Sequence, residues 1–209
     1  MTSSSRPGLP PAEVAPAGRP HTGRQRSEAA RSAILNAALE LLGDSGSAGL
    51  TIDAIAATAG VGKQTIYRWW PSKGAVVLEA MTERAGIEAP VPDCGSVTED
   101  LTSFLAATFR NASKSSVSRK LRFVMAEAQH DPQTAEVLGE FTAERRNSLR
   151  VILERGQARN ELSKAADVDL LIDQAFGFLW YRMLVGHAPL TRRMAKALAE
   201  GLVRQALVR

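Results

Sequence analysis

Apolar residues recur every three to four positions along most of the chain, the spacing that places them on one face of a helix. The stretch from Leu50 to Val76 shows this pattern most clearly. Thr51 can cap a first short helix, and Gly60 follows it where a chain leaving a helix often needs a positive φ. A second helix of barely two turns is predicted from about Gly62 to Trp69. The apolar face of the first helix consists of Ile52, Ile55, Ala56 and Ala59.

Two further helices frame this pair. The upstream helix is predicted over Ser27 to Ser45, with Ser27 as its cap and Gly46 as its stop. A fourth helix is predicted to begin at Ser72, with Lys73 in its first turn. The first three helices therefore form a small N-terminal module, in which the second and third are arranged as a helix-turn-helix.

The Pro-interrupted segment from Gly86 to Gly95 is the predicted seam between two modules. After it we expect five to six helices, one of them long and opened by Asp131 and Pro132. No stretch alternates apolar and polar residues at a period of two, so the predicted fold class is all-α without a sheet. The predicted divisions are a disordered tail at 1–23, the helix-turn-helix module at 24–86 and the C-terminal helical module at 95–209.

The helix predicted from Asp167 to Val185 is apolar nearly all round, so we expect it to be buried on both sides. In a chain of 209 residues, a second copy is the expected source of the second covering surface. A monomer with a thick core is the alternative. The residues expected at this interface, on the last two helices, are Leu171, Leu179, Met183, Leu190, Met194, Leu198 and Leu202.

The composition is that of an ordinary globular protein, with 44% hydrophobic and 23% charged residues. No apolar run approaches the roughly 18 residues that a membrane span needs, and the N-terminus has no apolar signal core. The single cysteine, Cys94, cannot form a disulfide within the chain, which suits a reducing compartment. We therefore expect a cytoplasmic protein that does not bind a membrane.

The net charge of +4 is mild, but basic residues gather just before the first helix. The tail that precedes them is rich in Ser, Pro, Gly and Ala and has too few large apolar residues to fold. Its basic end, which includes Arg19 and Arg24, can lie along a minor groove as homeodomain arms do. A solvated tail that only keeps the protein soluble is the alternative.

The predicted second helix carries an outward set of polar residues suited to DNA. Lys and Arg supply charge for phosphates, Tyr and Thr supply hydroxyl groups, and Arg and Gln can read base edges. A helix-turn-helix presents its second helix to the major groove, so double-stranded DNA is the expected partner. The outward residues are Lys63, Gln64, Thr65, Tyr67 and Arg68.

The sequence TIDAIAATAGVGKQTIYRWWPSKGAVV, with AARSAILNAALELL upstream, resembles the DNA-binding signature of the tetracycline-repressor (TetR) family of bacterial transcriptional regulators. The resemblance covers roughly Arg24 to Ala85, with the AGV turn, the TIYRWW block and PSK in the family's order and spacing. Gly62 departs from the family pattern, because a capping Ser is usual there. Trp69 departs as well, because a smaller polar residue or His is common at its position.

The resemblance implies a one-component regulator, typically a repressor, whose homodimer binds a palindromic operator. The phosphate contacts expected are Thr51, Lys63, Tyr67, Lys73 and the backbone N–H of Gly62, and the base contacts are Gln64, Thr65 and Arg68. Arg24 is expected to contact DNA from the basic arm. The resemblance also implies that an effector binds in the C-terminal module, and its aromatic faces indicate an apolar or aromatic compound. Its candidate lining residues, each of which could instead be ordinary core, are Phe104, Phe109, Phe123, Met125, Phe141, Phe176 and Trp180.

No enzyme chemistry is apparent in the sequence. The three histidines lie far apart, and the Glu127, His130 and Asp131 group is interpreted as a helix end followed by a cap rather than a metal site. No phosphate-binding Gly-rich loop or nucleophile motif is present, so we expect no cofactor, no metal and no catalysis. Two alternatives remain: a helix-turn-helix regulator that acts through partner proteins without an effector, and a helical enzyme or carrier with a vestigial DNA module.

Overall fold

The computed structural model of the chain describes residues 22–44, 49–85 and 91–207, with only the backbone at 22–26, 44 and 84–85. Within these residues the fold is all-α, as predicted, and contains no strand. None of the described helices combines the length and the apolarity that crossing a bilayer requires. The helices are α1 (Thr22–Asp44), α2 (Ile52–Ala59), α3 (Lys63–Tyr67), α4 (Lys73–Ala85), α5 (Val97–Ala112), α6 (Ser115–Ala128), α7 (Pro132–Ala158), α8 (Val168–Val185) and α9 (Arg192–Gln205).

The start of α1 differs from the prediction. The helix begins at Thr22 rather than after Ser27, so Ser27 lies inside it. Residues 22 and 23, which were predicted to belong to the disordered tail, are therefore part of the helix. The reason is that the sequence from Arg24 onwards is rich in good helix formers and contains no residue that stops a helix. The rest of the predicted tail, residues 1–21, lies outside the described residues, as does 86–90 of the predicted seam.

The helix-turn-helix forms as the local signals predict. The Thr51 hydroxyl accepts a hydrogen bond from the Ala54 N–H at 3.0 Å and caps α2. Gly60 ends α2 with a φ of +67°, a conformation that most other residues adopt only with strain. Gly62 then precedes α3 and, having no side chain, offers no capping hydrogen bond.

The C-terminal module consists of α5 to α9. The longest helix, α7, is opened by Asp131, whose carboxylate accepts from the N–H groups of Gln133 and Thr134 at 3.3 and 3.1 Å. This confirms that the residues around His130 form a helix end followed by a cap. The core of the module contains Leu101, Phe104, Leu105, Phe109, Val124, Leu149, Ile152, Leu153, Ile172, Ala175, Ala195 and Ala199.

The start of α5 is fastened to the end of α7 by a buried carboxylate. Asp100 is fully buried and accepts hydrogen bonds from the Cys94 N–H at 2.5 Å and from Arg159 Nη2 at 3.0 Å. Arg155 lies 3.7 Å from the same carboxylate. Burial alone would raise the pKa of Asp100, but these hydrogen bonds and charges hold it below its usual value, so the group is a carboxylate at neutral pH.

A tight joint connects the two modules where the first turn of α4 meets the corner between α6 and α7. The Ser72 hydroxyl caps α4 through the Ala75 N–H at 3.1 Å and lies 2.8 Å from Thr134 Oγ1. Gly74 packs so closely on α7 that a Cβ there would lie 2.5 Å from both Cγ2 and Oγ1 of Thr134. Lys73 Nζ lies 3.0 Å from Glu127 Oε2 on α6. The N-terminal module therefore rests on the second module through α4.

We predict that Gly74→Ala lowers the free energy of unfolding by about 1–3 kcal/mol, because the added methyl group overpacks a joint that has no room. Thr134 cannot yield easily, because it is buried and hydrogen-bonded on both sides. Gly139→Ala on α7 is the matched control, since a Cβ there meets nothing within 4 Å. That change should raise stability by up to about 1 kcal/mol through helix propensity. Urea unfolding of both variants checks this, and equal stability of the two would contradict a close-packed joint.

Candidate nucleic-acid interface and ligand cavity

The short helix α3 divides into an exposed outer face and a buried inner face. Lys63, Gln64 and Arg68 are exposed, and Tyr67 is 52% exposed although it is aromatic. Thr65 is half-buried at the edge of this face, and Ile66 is fully buried behind it. The residues predicted to face DNA are thus brought together on one surface, which we call the α3 outer face: Lys63, Gln64, Thr65, Tyr67 and Arg68.

The α3 outer face is held in place by a chain of polar contacts behind it. Trp70 is buried directly after α3, and its indole Nε1–H donates to Glu79 Oε2 at 2.6 Å. Arg31 of α1 donates to Glu79 and also to Glu83, both on α4. Trp69 is only half-buried and packs edge-on against Trp70, with 5.4 Å between ring centroids. The sequence alone did not distinguish the two tryptophans, and the structure makes Trp70 the anchor.

The charges on this surface are available to a polyanion. Lys63 pairs with Asp53 of α2, and both side chains are more than half exposed. The hydrogen bond to Asp53 raises the pKa of Lys63, which keeps it fully charged. An exposed ion pair contributes little to the free energy of folding, so Lys63 can leave Asp53 and bind a phosphate with little loss of stability. The Arg68 guanidinium lies 5.8 Å from the Trp69 ring centroid, within the range of a cation–π contact.

The other residues predicted to contact DNA lie outside the α3 outer face. Thr51 is exposed, and its hydroxyl can donate a hydrogen bond while accepting the cap. Gly62 is exposed at the start of α3, and Arg24 lies in the part of α1 described by its backbone only. Lys73 differs from the expectation, because its ammonium group pairs with Glu127 and lies 5.6 Å from the Phe123 ring centroid. The reason is the joint between the modules, which packs the first turn of α4 against the corner of α6 and α7 and so brings Lys73 to Glu127.

A cavity of about 340 Å³ opens between α5, α6, α7 and α8. Three of the predicted ligand residues, Phe141, Phe176 and Trp180, line it. Phe104 and Phe109 do not, because they point into the core, where Phe109 stacks on Phe178. Phe123 lines a wider cleft of about 960 Å³ beside the end of α1, and Met125 lines neither. The cavity also contains polar residues that the sequence analysis did not select: Thr108, Asn111, Thr142, Arg145, Arg146 and Asp173.

A third surface is the unpartnered apolar face of α8. Four of the residues expected at the dimer interface, Leu171, Leu179, Met183 and Leu202, are instead buried within their own chain. Leu190, Met194 and Leu198 are half-buried. The exposed apolar residues of α8 lie on its opposite face and are between 46% and 61% exposed: Leu170, Tyr181, Leu184 and Val185. We call these four the α8 stripe.

Metal binding has no support in the described part of the chain. No three His, Cys, Asp or Glu side chains there are grouped so that they could hold an ion. The described residues thus present one exposed polar surface on α3 and a separate cavity between α5, α6, α7 and α8.

Comparison with known proteins agrees with this arrangement. The profile described as "Bacterial regulatory proteins, tetR family" matches residues 34–80, and "Tetracyclin repressor-like, C-terminal domain" matches residues 91–202. The chain is 35% identical to the HTH-type transcriptional regulator YdeS of Bacillus subtilis over 78% of its own length and 82% of that protein. It is 32% identical to the HTH-type regulator Rv1556 of Mycobacterium tuberculosis over 84% of this chain and 87% of that one.

A solved structure supports the same assignment. The TetR family transcription regulator SCO0332 superposes with a TM-score of 0.68 at 30% identity, covering 86% of this chain and 99% of that one. Both modules of the chain, and the order in which they occur, are accounted for by one family. The chain therefore belongs to the TetR family of bacterial transcriptional regulators, which bind DNA through a helix-turn-helix.

Proposed function

We propose that the chain is a dimeric one-component repressor of the cytoplasm. Two copies of the α3 outer face bind a palindromic operator, and a small molecule with an apolar or aromatic body releases it. The observation that carries this proposal is the division of α3, with Ile66 buried and Gln64, Tyr67 and Arg68 exposed. A surface of this kind fits the major groove, whereas a helix kept only for packing would not need it.

The roles on the α3 outer face follow from chemistry and position. Lys63, Tyr67 and the neighbouring Thr51 bind phosphates and fix the orientation of the module on the duplex. Gln64, Thr65 and Arg68 face base edges, where an Arg can bind guanine with two hydrogen bonds. A phosphate contact by Lys73 requires that its pair with Glu127 opens first. The charge of Lys73 is therefore shared between DNA and the joint.

The dimer forms through the α8 stripe together with the outward side of α9. The half-buried Leu198 and Gly201 and the exposed Ala197 give α9 a narrow surface, on which a partner helix can approach closely. An apolar stripe of this size is unfavourable in water, and a second copy of the same stripe covers it symmetrically. Interfaces of this permanent type bury more than about 2,000 Å².

The position of the cavity supports the proposal that a small-molecule effector controls DNA binding. A ligand shifts an equilibrium only if it binds the two states with different affinity, so its site must touch elements that move. The cavity is lined from α6 by Leu121 and from α7 by Phe141, and the same two helices supply Glu127 and Thr134 to the joint with α4. A change in their spacing therefore reaches α4 and the module that carries α3. This favours an effector-controlled regulator over one that acts only through partner proteins.

The division of roles on α3 is tested with two variants. We expect Arg68→Ala to weaken binding to the operator by about 1–3 kcal/mol and to relax its sequence preference, with little effect on random DNA. Lys63→Ala should weaken the operator and random DNA alike and reduce the salt slope by about 1. The operator is first obtained by selecting bound fragments of genomic DNA, and affinities are then measured by fluorescence anisotropy at several salt concentrations.

Arg110→Ala is the matched control, because it removes an exposed arginine from α5, which belongs neither to α3 nor to the proposed dimer surface. It should leave operator affinity unchanged. If Arg68→Ala weakened random DNA as much as the operator, Arg68 would not read bases. If no genomic fragment were selected at all, the proposed function itself would fail.

The dimer is tested on the α8 stripe. Leu184→Glu places a charge in the proposed interface and should raise the dissociation constant of the dimer by about 100-fold or more, because a buried unpaired charge is costly. Val151→Glu on α7 is the control, since Val151 is also exposed and apolar but lies off the stripe. Analytical ultracentrifugation should show one chain for the first variant and two for the control. A wild-type protein that sediments as a monomer would contradict the proposed assembly.

A further inference from the structure

A buried hydroxyl on the wall of the cavity between α5, α6, α7 and α8 has no hydrogen-bond partner. Thr108 is only 6% exposed, and among the described residues its Oγ1 is the one buried side-chain nitrogen or oxygen atom without a partner. A Thr on a helix often donates to a carbonyl of the preceding turn, but Thr108 does not. Because Thr108 lines the cavity, a ligand oxygen there would complete a hydrogen bond whose absence costs free energy.

A second threonine of the cavity shows the ordinary arrangement. Thr142 of α7 is half-buried and lines the same cavity. Its hydroxyl donates to the Gly139 carbonyl oxygen at 2.9 Å, so its hydrogen is already used within the helix. The two threonines have the same side chain in the same cavity, but of the two it is Thr108 that keeps its hydroxyl hydrogen for a ligand.

The charged residues on the wall are already engaged by the protein itself. Arg146 pairs with Asp173, and its Nη2 lies 3.3 Å from Asp169 Oδ1. Arg145 also takes part in an interaction within the chain. An anionic ligand would have to compete with these contacts for an arginine, whereas an uncharged oxygen can bind Thr108 without disturbing them. The wall therefore favours an uncharged ligand.

The rest of the buried wall is apolar. The lining residues that are as deeply buried as Thr108, each at most 6% exposed, are Ala112, Val117, Leu121 and Leu179. Half-buried aromatic rings extend this wall: Phe141, Phe176 and Trp180. A volume of about 340 Å³ is at the lower end of the range of ligand pockets in proteins. The cavity thus suits a compact apolar body of one or two rings.

We infer that the effector is an uncharged, compact apolar compound with a carbonyl or hydroxyl oxygen that accepts a hydrogen bond from Thr108 Oγ1. Its apolar body packs against Phe141, Phe176 and Trp180. The inference rests on the proposed function, which makes this cavity the effector site. A neutral oxygen suits the wall because it can satisfy the buried hydroxyl without bringing an unpaired charge into an apolar surrounding.

The test compares compounds of nearly one shape that differ in a single group. Acetophenone and 1-phenylethanol carry the neutral oxygen, cumene replaces it with a methyl group, and benzoate carries a charge. These four and their 2-naphthyl counterparts are titrated against the full-length protein by thermal shift and calorimetry. On at least one ring system we expect the ketone or the alcohol to bind about three- to tenfold more tightly than the hydrocarbon, as a neutral hydrogen bond allows. The same compound should bind more tightly than the carboxylate and should release the operator in the anisotropy assay.

Three variants separate a binding role from a structural one. Thr108→Val keeps the shape of the side chain, so it should weaken the oxygen compound by about three- to tenfold and leave the hydrocarbon no weaker. It should also raise the melting temperature of the free protein, because an unpaired buried hydroxyl becomes a methyl group. Thr108→Ser retains the hydroxyl and should keep the preference for oxygen. Thr142→Val is the matched control and should keep it too, because that hydroxyl is bonded to Gly139.

The inference is overturned if the carboxylates bind more tightly than the ketones and alcohols, if Thr108→Val keeps the preference for oxygen, or if none of the eight compounds binds. A fall in the melting temperature of free Thr108→Val would assign the hydroxyl a structural role, which also overturns it. None of these results affects operator binding or dimerisation in the absence of ligand. Failure of the neutral-effector inference is therefore distinguishable from failure of the proposed function.

Discussion

A helix of five residues has no stability of its own in water, so α3 depends on what lies behind it. Ile66 and Trp70 supply that support from the buried side, and the indole N–H of Trp70 ties the end of the helix to Glu79. Arg31 links Glu79 and Glu83 to α1, so α1 and α4 together hold this short helix. This anchoring frees the polar side chains of α3 from any packing role. The α3 outer face is therefore held in position by the core beneath it.

The same support also connects the helices that line the cavity to the α3 outer face. Glu79 lies on α4, and the first turn of α4 is packed on the α6–α7 corner through Ser72, Gly74 and Thr134. With no room at Gly74, a shift of that corner must move α4, because close-packed contacts cannot absorb it. Lys73 adds an electrostatic element, since its pair with Glu127 competes with any phosphate contact. Packing and charge thus connect the effector module to the orientation of α3.

Much of this could be predicted from the sequence because it depends on neighbours along the chain. Thr51, Gly60 and Asp131 act within one helical turn, and their caps were identified correctly. The buried side of α8 could not be predicted, because Leu171 and Leu184 are the same residue type on opposite faces of a helix that is apolar all round. Pairs that join distant helices, such as Lys73 with Glu127, leave no local signal. Among the polar residues that line the cavity, Thr108 gave a partial signal in the sequence, because it is a polar residue on the apolar face of α5.

Everything proposed for α3 depends on two copies of its outer face entering the major groove of one duplex. Methylation protection on a selected genomic fragment tests it directly, because dimethyl sulfate marks guanine N7 in the major groove and adenine N3 in the minor groove. We expect two protected groups of guanines, related by a twofold axis and separated by about one helical turn or a multiple of it. A single protected group, or protection confined to adenine N3, would contradict it.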